Sequence, residues 1–441
     1  MNSLTKNTEK MRAYAVIGAN YGDEGKGLLT DYLVNRENAP GCGSDDTLVV
    51  RFNGGAQAGH TVVTPDGQRH IFSHFGAGTL SGARTFLSKY FVLNPMLFFR
   101  EKRLLEGLGL KVQPILVDPR AMVTTPYDMI INQEHERFLG NKREGSCGIG
   151  FGETIVRNKR KLMIEKYTSH ELQLSMMDLF ESIGDAEHLY FKLQLFRREW
   201  VPARLAELNI PYTREIRSQV MNDALMWKYL EDLDALSKPI NSQAYWPLSQ
   251  HTGATGAAKQ FGTIIFEGAQ GLGLDQGRGV YPHVTPSYTG LTNVLQICEE
   301  MWINSLDVFY VTRAYLTRHG AGPMESELKK KPYKGITETT NITNEFQGSF
   351  RYGNLDASEL RVRIRRDLRA ADDHKVRIMP KLAVTCLDQI DDQARYLLNN
   401  RYKCVKRDDF AVELARDVGL PYVLESYGPT LETVQGEHVA V

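Results

Sequence analysis

Residues 12–34 read RAYAVIGANYGDEGKGLLTDYLV, and this stretch decides the fold. It opens with a short apolar run, continues through a loop with four glycines, and ends in an apolar-rich segment. This order predicts a strand, a glycine loop and a helix.

Short runs rich in β-branched residues recur along the chain and have the composition of parallel strands buried on both faces. They are residues 47–52, 115–117, 263–266, 308–311 and 382–386. Helical patterns such as 95–108 and 188–208 lie between them. The alternation predicts an α/β fold with a central, mostly parallel sheet flanked by helices, as in P-loop NTPases.

The domain organisation follows from the same pattern. We expect residues 1–441 to form a single domain, with an appended, mainly helical lobe at about 160–250. Residues 325–350 are polar and glycine-bearing with weak periodicity, which predicts a long functional loop because sheet-forming sequence resumes after them.

Composition limits the classes of partner. Lys plus Arg and Asp plus Glu each number 53, so no global field attracts nucleic acid or an anionic membrane. The five cysteines form no C-x-x-C pair, and the polar N-terminus lacks the apolar core of a signal peptide. No apolar stretch is long enough to cross a bilayer. We therefore expect a cytoplasmic protein that binds neither nucleic acid nor membranes and holds anions through local geometry.

The segment GDEGKG, residues 22–27, is the first candidate site. Gly22, Gly25 and Gly27 let the backbone approach a ligand and expose N–H groups at a helix N-terminus. Lys26 adds a point charge for phosphate, and Asp23 can hold a hard cation. The spacing is not that of a Walker A loop, and a surface turn with a capping Asp is the alternative.

The second candidate is NGGAQAGHT, residues 53–61, which follows the predicted strand 47–52. Its small residues permit close approach of a ligand. Gln57 can recognise a base edge, and His60 is a candidate general acid. A structural role for a single histidine is the alternative.

Two further segments carry polar residues at predicted strand ends. FEGAQGLGLDQGRGVYPHVTPSYTG, residues 266–290, places Glu267 and Gln270 directly after a strand, where α/β sheets collect ligand-binding residues. A plain crossover loop is the alternative for 272–279, and it is less natural for Gln270 and Thr285. TRHGAGP, residues 317–323, is another glycine-bearing turn, and it contains a positively charged arginine.

These four segments together resemble one family, adenylosuccinate synthetase. The family's W-G-D-E-G-K-G and G-G-x-N-A-G-H-T loops correspond to YGDEGKG and GGAQAGHT. Its F-E-G-A-Q-G with Y-P-x-V-T-S-S-N-T corresponds to FEGAQG with YPHVTPSYT, and its T-R-x-G-x-G-P to TRHGAGP. Order and approximate spacing match from residue 12 to about 325 and resume near 344 and 382, so the chain is identified as a member of this family.

The resemblance implies a ligase that joins a purine 6-oxo nucleotide, normally IMP, to an amino acid, normally aspartate, while cleaving GTP. Asp23 would remove the N1 proton and ligate Mg²⁺, with the Gly59 carbonyl as a second metal ligand. His60 would stabilise the transferring phosphoryl group and then act as a general acid, and Lys26 would neutralise phosphates. Gln270 is counted with these catalytic residues.

For the acceptor nucleotide, the resemblance places Gln57, Gln270 and Thr285 around base and 5′-phosphate. GSCGIG at 145–150 replaces a phosphate-binding T-T-G-R-G-I-G, which makes Ser146 the hydroxyl candidate. The family is a homodimer that lends an arginine across its interface, and Arg160 or Arg157 has the right spacing. The remaining acceptor-binding candidates are Asp23, Glu24, Gly25, Lys26, Ala58, Gly59 and His60.

For the phosphate donor, the family recognises the guanine base through a T-K-L-D motif. The corresponding segment of this chain is TCLD, which keeps the aspartate as Asp388. A later S-x-G-P is SYGP, with Ser426 and Gly428. GTP is the expected donor, and ATP or dATP is the alternative. The loop candidates for this nucleotide are Gly22, Gly25, Lys26, Gly27, Gly59, His60 and Thr61.

The largest departure lies in the loop that grips aspartate. NEFQGSFRYGNLD, residues 344–356, is four residues shorter than the family's N-E-F-G-A-T-T-G-R-R-R-R-T-G-W-L-D, and Arg351 is its only arginine. Arg351 is therefore the amine-donor candidate, although a dicarboxylate normally needs paired cations. Arginines of 361–369 could compensate, or they could form a solvated helix face.

Three functions follow from this pattern. The first is adenylosuccinate synthesis with a remodelled loop. The second is a specialised, virus-type relative that uses dGMP, ATP or dATP, or another amine donor; retention of Asp23 argues against dGMP, because such relatives replace it with a smaller residue. The third is a nucleotide-binding regulator without turnover, which the retained Asp23, Lys26, His60 and Gln270 disfavour.

Overall fold

The computed structural model describes residues 11–37, 46–143, 145–165, 168–182, 186–237, 261–338, 340 and 348–439. The strands of these residues are, in chain order, β1 (Arg12–Gly18), β2 (Thr47–Arg51), β3 (His60–Val63), β4 (Arg69–Phe72), β5 (Arg84–Leu87), β6 (Val92–Leu93), β7 (Leu116–Val117), β8 (Met122–Val123), β9 (Lys161–Glu165), β10 (Thr168–Glu171), β11 (Thr263–Glu267), β12 (Ser305–Arg313), β13 (Leu316–Arg318), β14 (Glu327–Leu328), β15 (Arg351–Gly353), β16 (Arg377–Thr385), β17 (Gln393–Leu398), β18 (Arg401–Lys406), β19 (Tyr422–Ser426) and β20 (Val434–His438). The helices are α1 (Lys26–Glu37), α2 (Pro95–Gly107), α3 (Pro126–Leu139), α4 (Phe151–Asn158), α5 (Met176–Glu181), α6 (Ala186–Leu195), α7 (Val201–Glu207), α8 (Arg214–Val220), α9 (Asp223–Ser237), α10 (Leu291–Met301), α11 (Ala357–Leu368) and α12 (Phe410–Val418).

The central sheet has nine strands within the described residues, in the order β20-β19-β16-β12-β1-β11-β2-β5-β7. All neighbouring pairs are parallel except β19 with β20 at one edge. Every residue of β2 and β11 is buried, because helices cover both faces of the sheet there. The predicted α/β fold with a mostly parallel sheet is confirmed.

Two of the predicted strands are longer than the apolar runs that indicated them. β12 and β16 each span nine residues. Their amino-terminal halves carry polar residues, and Lys381 donates to Asp307 across the pair at 2.5 Å. Because this end is partly solvated, charged side chains can occupy strand positions that an apolar pattern does not mark.

The region 160–250 begins with the β9–β10 hairpin, which the sequence did not predict, and continues through α5 to α9. The helix predicted at 188–208 is interrupted by a π-helical turn at Phe196–Trp200 that joins α6 to α7. Pro202 follows this turn, and because proline has no N–H to donate, the helical hydrogen bonding is irregular there. Residues 238–250 of the predicted lobe lie outside the described residues, and the single-domain organisation stays a prediction.

The carboxyl ends of β1, β2 and β11 lie side by side in the sheet, because β11 pairs with both of the others. Glycine-bearing segments follow all three strands, and parallel sheets bind ligands at this edge. The second loop leads directly into the β3–β4 hairpin, whose first residue is His60. In the described parts of the chain, no helix has the length and apolar character needed to cross a membrane.

Candidate functional site

A cavity of about 1020 Å³ opens among the loops that follow β1, β2 and β11. Most of the site residues predicted from the sequence line it: residues 22–27, residues 57–61, Ser146, Gln270 and Thr285. Segments separated by more than 200 positions in the chain thus meet around one space.

The first loop has the backbone that its glycines predict. Gly22, Asp23 and Gly25 all have positive φ, at 95°, 59° and 88°. A Cβ on Gly25 would lie 2.9 Å from Thr385 Cγ2, and one on Gly27 would lie 3.1 Å from Cβ of His60. Any larger residue at these two positions would separate the loop from the strands that hold it.

Glu24 and Lys26 form a buried pair inside this loop. The Glu24 carboxylate accepts from the Asn20 N–H at 2.5 Å, and its second oxygen lies 3.7 Å from Nζ of Lys26. Burial raises the pKa of Glu24 to about 7, although the nearby Lys26 opposes this shift. Near neutral pH the carboxyl is therefore partly protonated, and the Lys26 charge is left partly uncompensated for a phosphate.

His60 is held by a buried carboxylate. Its Nδ1 lies 2.7 Å from Glu267 Oε1, and the other Glu267 oxygen accepts from the Ala77 N–H at 3.1 Å. The Arg51 guanidinium approaches that second oxygen at 3.6 Å. Burial lowers the pKa of His60, whereas Glu267 opposes the shift. The His60 ring thus has a fixed orientation, with Nε2 as the nitrogen left for a ligand.

Two carboxamides in the cavity contain buried polar atoms with no hydrogen-bond partner among the described residues. Both polar atoms of the Gln57 side chain and Oε1 of Gln270 are buried without a hydrogen bond. Both lie near Gly54, since a Cβ there would be 3.5 Å from Gln270 Oε1 and 3.7 Å from Gln57 Nε2. Gln270 itself has a positive φ of 56°. Buried polar groups are normally paired, so these amides are suited to a polar ligand such as a base edge.

Asp23 has an unpaired carboxylate within the described part of the chain, while its backbone is anchored. The Arg313 Nε donates to the Asp23 main-chain carbonyl. Asp23 and Gly59 both line the cavity. An unpaired carboxylate and a backbone carbonyl are the oxygen donors that a hard divalent cation needs.

The structure does not bring either candidate interface arginine into the cavity. The Arg160 side chain is 53% exposed and lies 3.5 Å from Glu207. Arg157 is fully buried and donates to Asp128 at 2.9 and 3.0 Å. Arg157 therefore forms an ion pair in the core that joins α4 to α3, whereas Arg160 lies on the surface.

Arg351, the predicted amine-donor residue, also lies outside the cavity lining. It forms a two-point ion pair with Glu327, and Nη1 donates to the carbonyls of Gly320 and Gly322 at 3.1 and 2.8 Å. Its guanidinium ties β15 to the TRHGAGP turn. Residues 344–347 of the shortened loop lie outside the described residues.

The residues predicted to bind the base of the phosphate donor lie further along the sheet, at the ends of β16 and β19, and β12 separates β16 from β1. Asp388 is exposed just beyond β16, and Ser426 ends β19 with its hydroxyl donating to the Gly428 carbonyl at 2.9 Å. They do not line the cavity, but Thr385 of β16 donates to the Glu24 carbonyl at 3.0 Å. This end of the sheet therefore adjoins the first loop.

Sequence reasoning missed part of the cavity wall. One face of α3 contributes Asn132, His135 and Glu136, and α7 contributes Arg204. No motif marks them, because a polar helix face that borders a ligand looks like any solvated face. His319 also lines the cavity, and it belongs to a segment that the sequence had marked without assigning the residue a role.

Comparison with known proteins places these features in one family. The model of the adenylosuccinate synthetase family matches residues 15–417. An adenylosuccinate synthetase of Clostridium beijerinckii is 31% identical over 327 residues, covering 72% of this chain and 66% of that protein. The adenylosuccinate synthetase of Clostridium perfringens is 30% identical over 334 residues, covering 74% of this chain and 68% of that protein. The match to the first relative thus spans a little under two thirds of its length.

Two solved structures share the fold. The fully ligated adenylosuccinate synthetase of Plasmodium falciparum aligns with a TM-score of 0.67 at 19% identity, over 96% of this chain and 99% of that one. The second is the succinoaminodeoxyadenylate synthetase of cyanophage S-2L, bound to dGMP and to dATP as an energy donor. It aligns with a TM-score of 0.52 at 16% identity, over 98% of this chain and 96% of that one.

Proposed function

The chain belongs to the adenylosuccinate synthetase family, and from that premise we propose that it is a purine-nucleotide ligase. It phosphorylates the 6-oxo group of IMP, or of a closely related purine nucleotide, with GTP, and an amine then displaces the phosphate. Aspartate is the amine donor that family membership suggests. One observation carries the proposal: Asp23, Lys26 and His60 line a single cavity together with the unpaired amides of Gln57 and Gln270.

The first step needs a base and an anion-stabilising group on opposite sides of one phosphoryl group. The Asp23 carboxylate removes the N1 proton, which increases the negative charge on the purine O6. Lys26 and the N–H groups at the start of α1 bind the phosphates. His60, oriented by Glu267, donates a hydrogen bond to the transferring group once it is protonated.

The second step replaces oxygen by nitrogen at C6. Gln57 and Gln270 hold the base, since no described residue hydrogen-bonds to either polar atom of the Gln57 amide or to Oε1 of Gln270. His60 then returns its proton to the departing phosphate. Ser146 and Thr285, which line the same cavity, contact the 5′-phosphate side of the acceptor.

Mg²⁺ fits the donors that the first two loops present. The Asp23 carboxylate and the Gly59 carbonyl are hard oxygen ligands, and phosphate oxygens of the nucleotide complete such a site. When bound, the ion neutralises phosphate charge and favours phosphoryl transfer. No described side chain forms a hydrogen bond or a close ion pair with the Asp23 carboxylate, which supports this assignment, and the charge of Arg313 acts on it from nearby.

A substrate matrix tests the proposal. Purified protein with Mg²⁺ is given IMP, dIMP, GMP or dGMP, each with GTP or ATP and with aspartate or another amine, and mass spectrometry identifies adducts. We expect an adduct with IMP and GTP. An adduct with dGMP alone would instead assign the virus-type activity, and nucleotide binding without any adduct would assign a regulator.

Variants separate catalysis from folding in the same assay. His60→Ala and Asp23→Ala are expected to abolish turnover with the circular dichroism spectrum unchanged. His374→Ala is the matched control, because this histidine pairs with Glu299 through Nδ1 and does not line the cavity. Near-normal rates in either of the first two variants would contradict the assigned roles.

We further propose that the enzyme is a homodimer and that the exposed Arg160 reaches the partner's cavity. Sedimentation equilibrium measures the mass, and an Arg160→Ala variant should raise the KM for the acceptor without changing the free energy of unfolding. A monomeric, fully active enzyme would contradict this arrangement.

A further inference from the structure

A buried carboxylate occupies two backbone amides of the segment 145–150. The Oε1 atom of Glu136 accepts from the Ser146 N–H at 2.9 Å, and its Oε2 atom accepts from the Gly145 N–H at 3.3 Å. Glu136 is 2% exposed, and all three residues line the cavity. Two successive backbone N–H groups that converge on one group form an anion-binding site, and here the anion belongs to the protein itself.

The segment 145–150 is also held by contacts that do not involve this carboxylate. Asn132 donates through Nδ2 to the Ser146 hydroxyl at 2.7 Å, and its Oδ1 accepts from the Gly150 N–H at 3.1 Å. Gln133 donates to the Gly148 carbonyl at 2.9 Å. The segment can therefore keep its place on α3 when another anion takes over its first two amides.

The helix that carries Glu136 is fixed at its start. Thr125 and Asp128 form a capping box at the first turn of α3. Arg157 donates to both oxygens of Asp128, at 2.9 and 3.0 Å, from the neighbouring helix α4. Because the backbone is anchored in this way, we expect the Glu136 carboxylate to leave the amides by rotation of its own side chain.

The cavity wall around this contact offers a phosphate little positive charge. In the described chain, α3 contributes Glu136 and His135 to the lining, α4 contributes Glu153, and α7 contributes Arg204. Arg204 donates to both oxygens of Glu153 at 2.8 and 3.1 Å and to Glu207 at 2.9 Å, so two carboxylates already compensate its charge. A phosphate that approached the two amides would meet the like charge of the glutamate that holds them.

From these contacts we propose that Glu136 determines how tightly the acceptor binds: its carboxylate holds the amides of Gly145 and Ser146 until the 5′-phosphate of the acceptor displaces it. This rests on the proposed function, in which Ser146 contacts the 5′-phosphate side of the acceptor. Phosphate oxygens form strong hydrogen bonds to backbone N–H groups, as a carboxylate does. Because the two anions share the same donors, the cost of displacing the carboxylate is subtracted from the binding free energy of the nucleotide.

The same contact makes a prediction about selectivity. A nucleoside without a 5′-phosphate has no anion with which to displace the Glu136 carboxylate, and it brings no charge that the carboxylate repels. Removal of the carboxylate should therefore change the binding of the nucleotide and leave the binding of the nucleoside as it is.

Calorimetric titrations with IMP and with inosine test this. Glu136→Ala removes the competing group, whereas Glu136→Gln keeps the shape and one acceptor oxygen but removes the charge. We expect the Kd for IMP to fall about tenfold in Glu136→Ala and less in Glu136→Gln, the scale of one hydrogen bond to a charged group. The Kd values for inosine and GTP should not change, and in turnover the KM for IMP should fall while kcat stays the same.

Glu134→Gln is the matched control. It removes the same charge from the same helix, but Glu134 pairs with Arg137 and does not line the cavity. The Kd for IMP of this variant should equal that of wild type. Urea unfolding verifies that each variant is folded, and if Glu136→Ala does not fold, Glu136→Gln alone decides the test.

Three results would overturn the inference. Weaker or unchanged IMP binding in folded Glu136 variants would show that the carboxylate only supports the segment. An equal gain for inosine would show that it does not act on the phosphate, and an equal gain in Glu134→Gln would show a general effect of charge. Failure of the proposed function differs from all three, because a wild-type protein that neither binds IMP nor cleaves GTP in its presence refutes the ligase whatever the variants do.

Discussion

The Glu267 carboxylate lies 2.7 Å from Nδ1 of His60, and the two residues are separated by 207 positions in the sequence. Both side chains are buried, with Arg51 on the far side of the carboxylate. Burial would raise the pKa of Glu267, but the adjacent His60 and Arg51 outweigh it and lower the pKa. Glu267 thus remains a carboxylate that can orient the His60 ring and stabilise its protonated form during phosphoryl transfer.

Replacing Glu267 by Gln should therefore impair catalysis more than binding. The amide keeps the size of the side chain but removes the charge that stabilises protonated His60. We expect kcat to fall by about a hundredfold, within the range that a positioned acid contributes, with nucleotide affinities within a few-fold of wild type. Steady-state kinetics across pH 6 to 9 measures this, and the alkaline limb of kcat should move to lower pH, because protonated His60 loses its proton more readily without the Glu267 charge. An unchanged kcat and pH profile would show that Glu267 only fills space.

Nucleotide binding should be coupled to proton uptake at His60. Burial lowers the pKa of His60 in the free protein, whereas triphosphate oxygens beside the ring would raise it. Below the free pKa the ring is protonated in both states, and above the bound pKa it is neutral in both. Between them binding takes up a proton, so GTP affinity should fall as pH rises through this window.

Calorimetry in buffers of different ionisation enthalpy measures that proton directly. His60→Gln should abolish the His60 part of the uptake and flatten the pH dependence, which separates it from protons taken up by the nucleotide itself. Equal uptake in wild type and variant would contradict the coupling.

The sequence predicted that residues 22–27 and 57–61 meet, because glycine loops at the ends of neighbouring parallel strands converge, and both segments line the cavity. It did not predict the role of Glu267, although the FEGAQG motif contains it, because only the folded sheet shows which strand lies beside the β3–β4 hairpin. The pairing of Arg351, the amine-donor candidate, with Glu327 was not predicted either, because the two residues lie 24 positions apart in the chain. Local pattern shows which residues are polar; it does not show whether another side chain already pairs with them.

The unpaired amide of Gln57 should be dispensable for stability and important for binding. Both of its polar atoms are buried, and nothing in the described part of the chain hydrogen-bonds to them, so Gln57→Ala removes no hydrogen bond seen there. Asn53 is the matched amide: it donates to the Ala269 carbonyl at 3.0 Å and accepts from the Ala269 N–H at 2.7 Å. We expect Asn53→Ala to lower the free energy of unfolding by about 1–3 kcal/mol, the cost of unpaired buried groups.

Urea unfolding and acceptor binding, measured on both variants, separate the two roles. Gln57→Ala should unfold like wild type and bind the acceptor at least tenfold more weakly, which matches the loss of about 1.4 kcal/mol from a base contact. A large loss of stability in Gln57→Ala would mean that the carboxamide serves the fold.

Glu24 should make stability depend on pH between 5 and 8. Burial raises its pKa to about 7 from 4.5, so the folded protein retains a proton that the unfolded chain releases. Its contribution is full below pH 4.5 and is lost as pH rises through 7, by roughly 3 kcal/mol as an upper limit. The glutamine of the Glu24→Gln variant cannot ionise, and the free energy of unfolding of this variant should therefore exceed that of wild type at pH 8 and approach it at pH 5.

Asp31→Asn is the matched control on α1. Burial raises the pKa of Asp31 only to about 6, so the pH dependence of the free energy of unfolding should differ between this variant and wild type mainly below pH 6.5. Urea titrations at pH 5, 6.5 and 8 distinguish them, and parallel curves for wild type and Glu24→Gln would show that Glu24 is fully ionised in the folded protein.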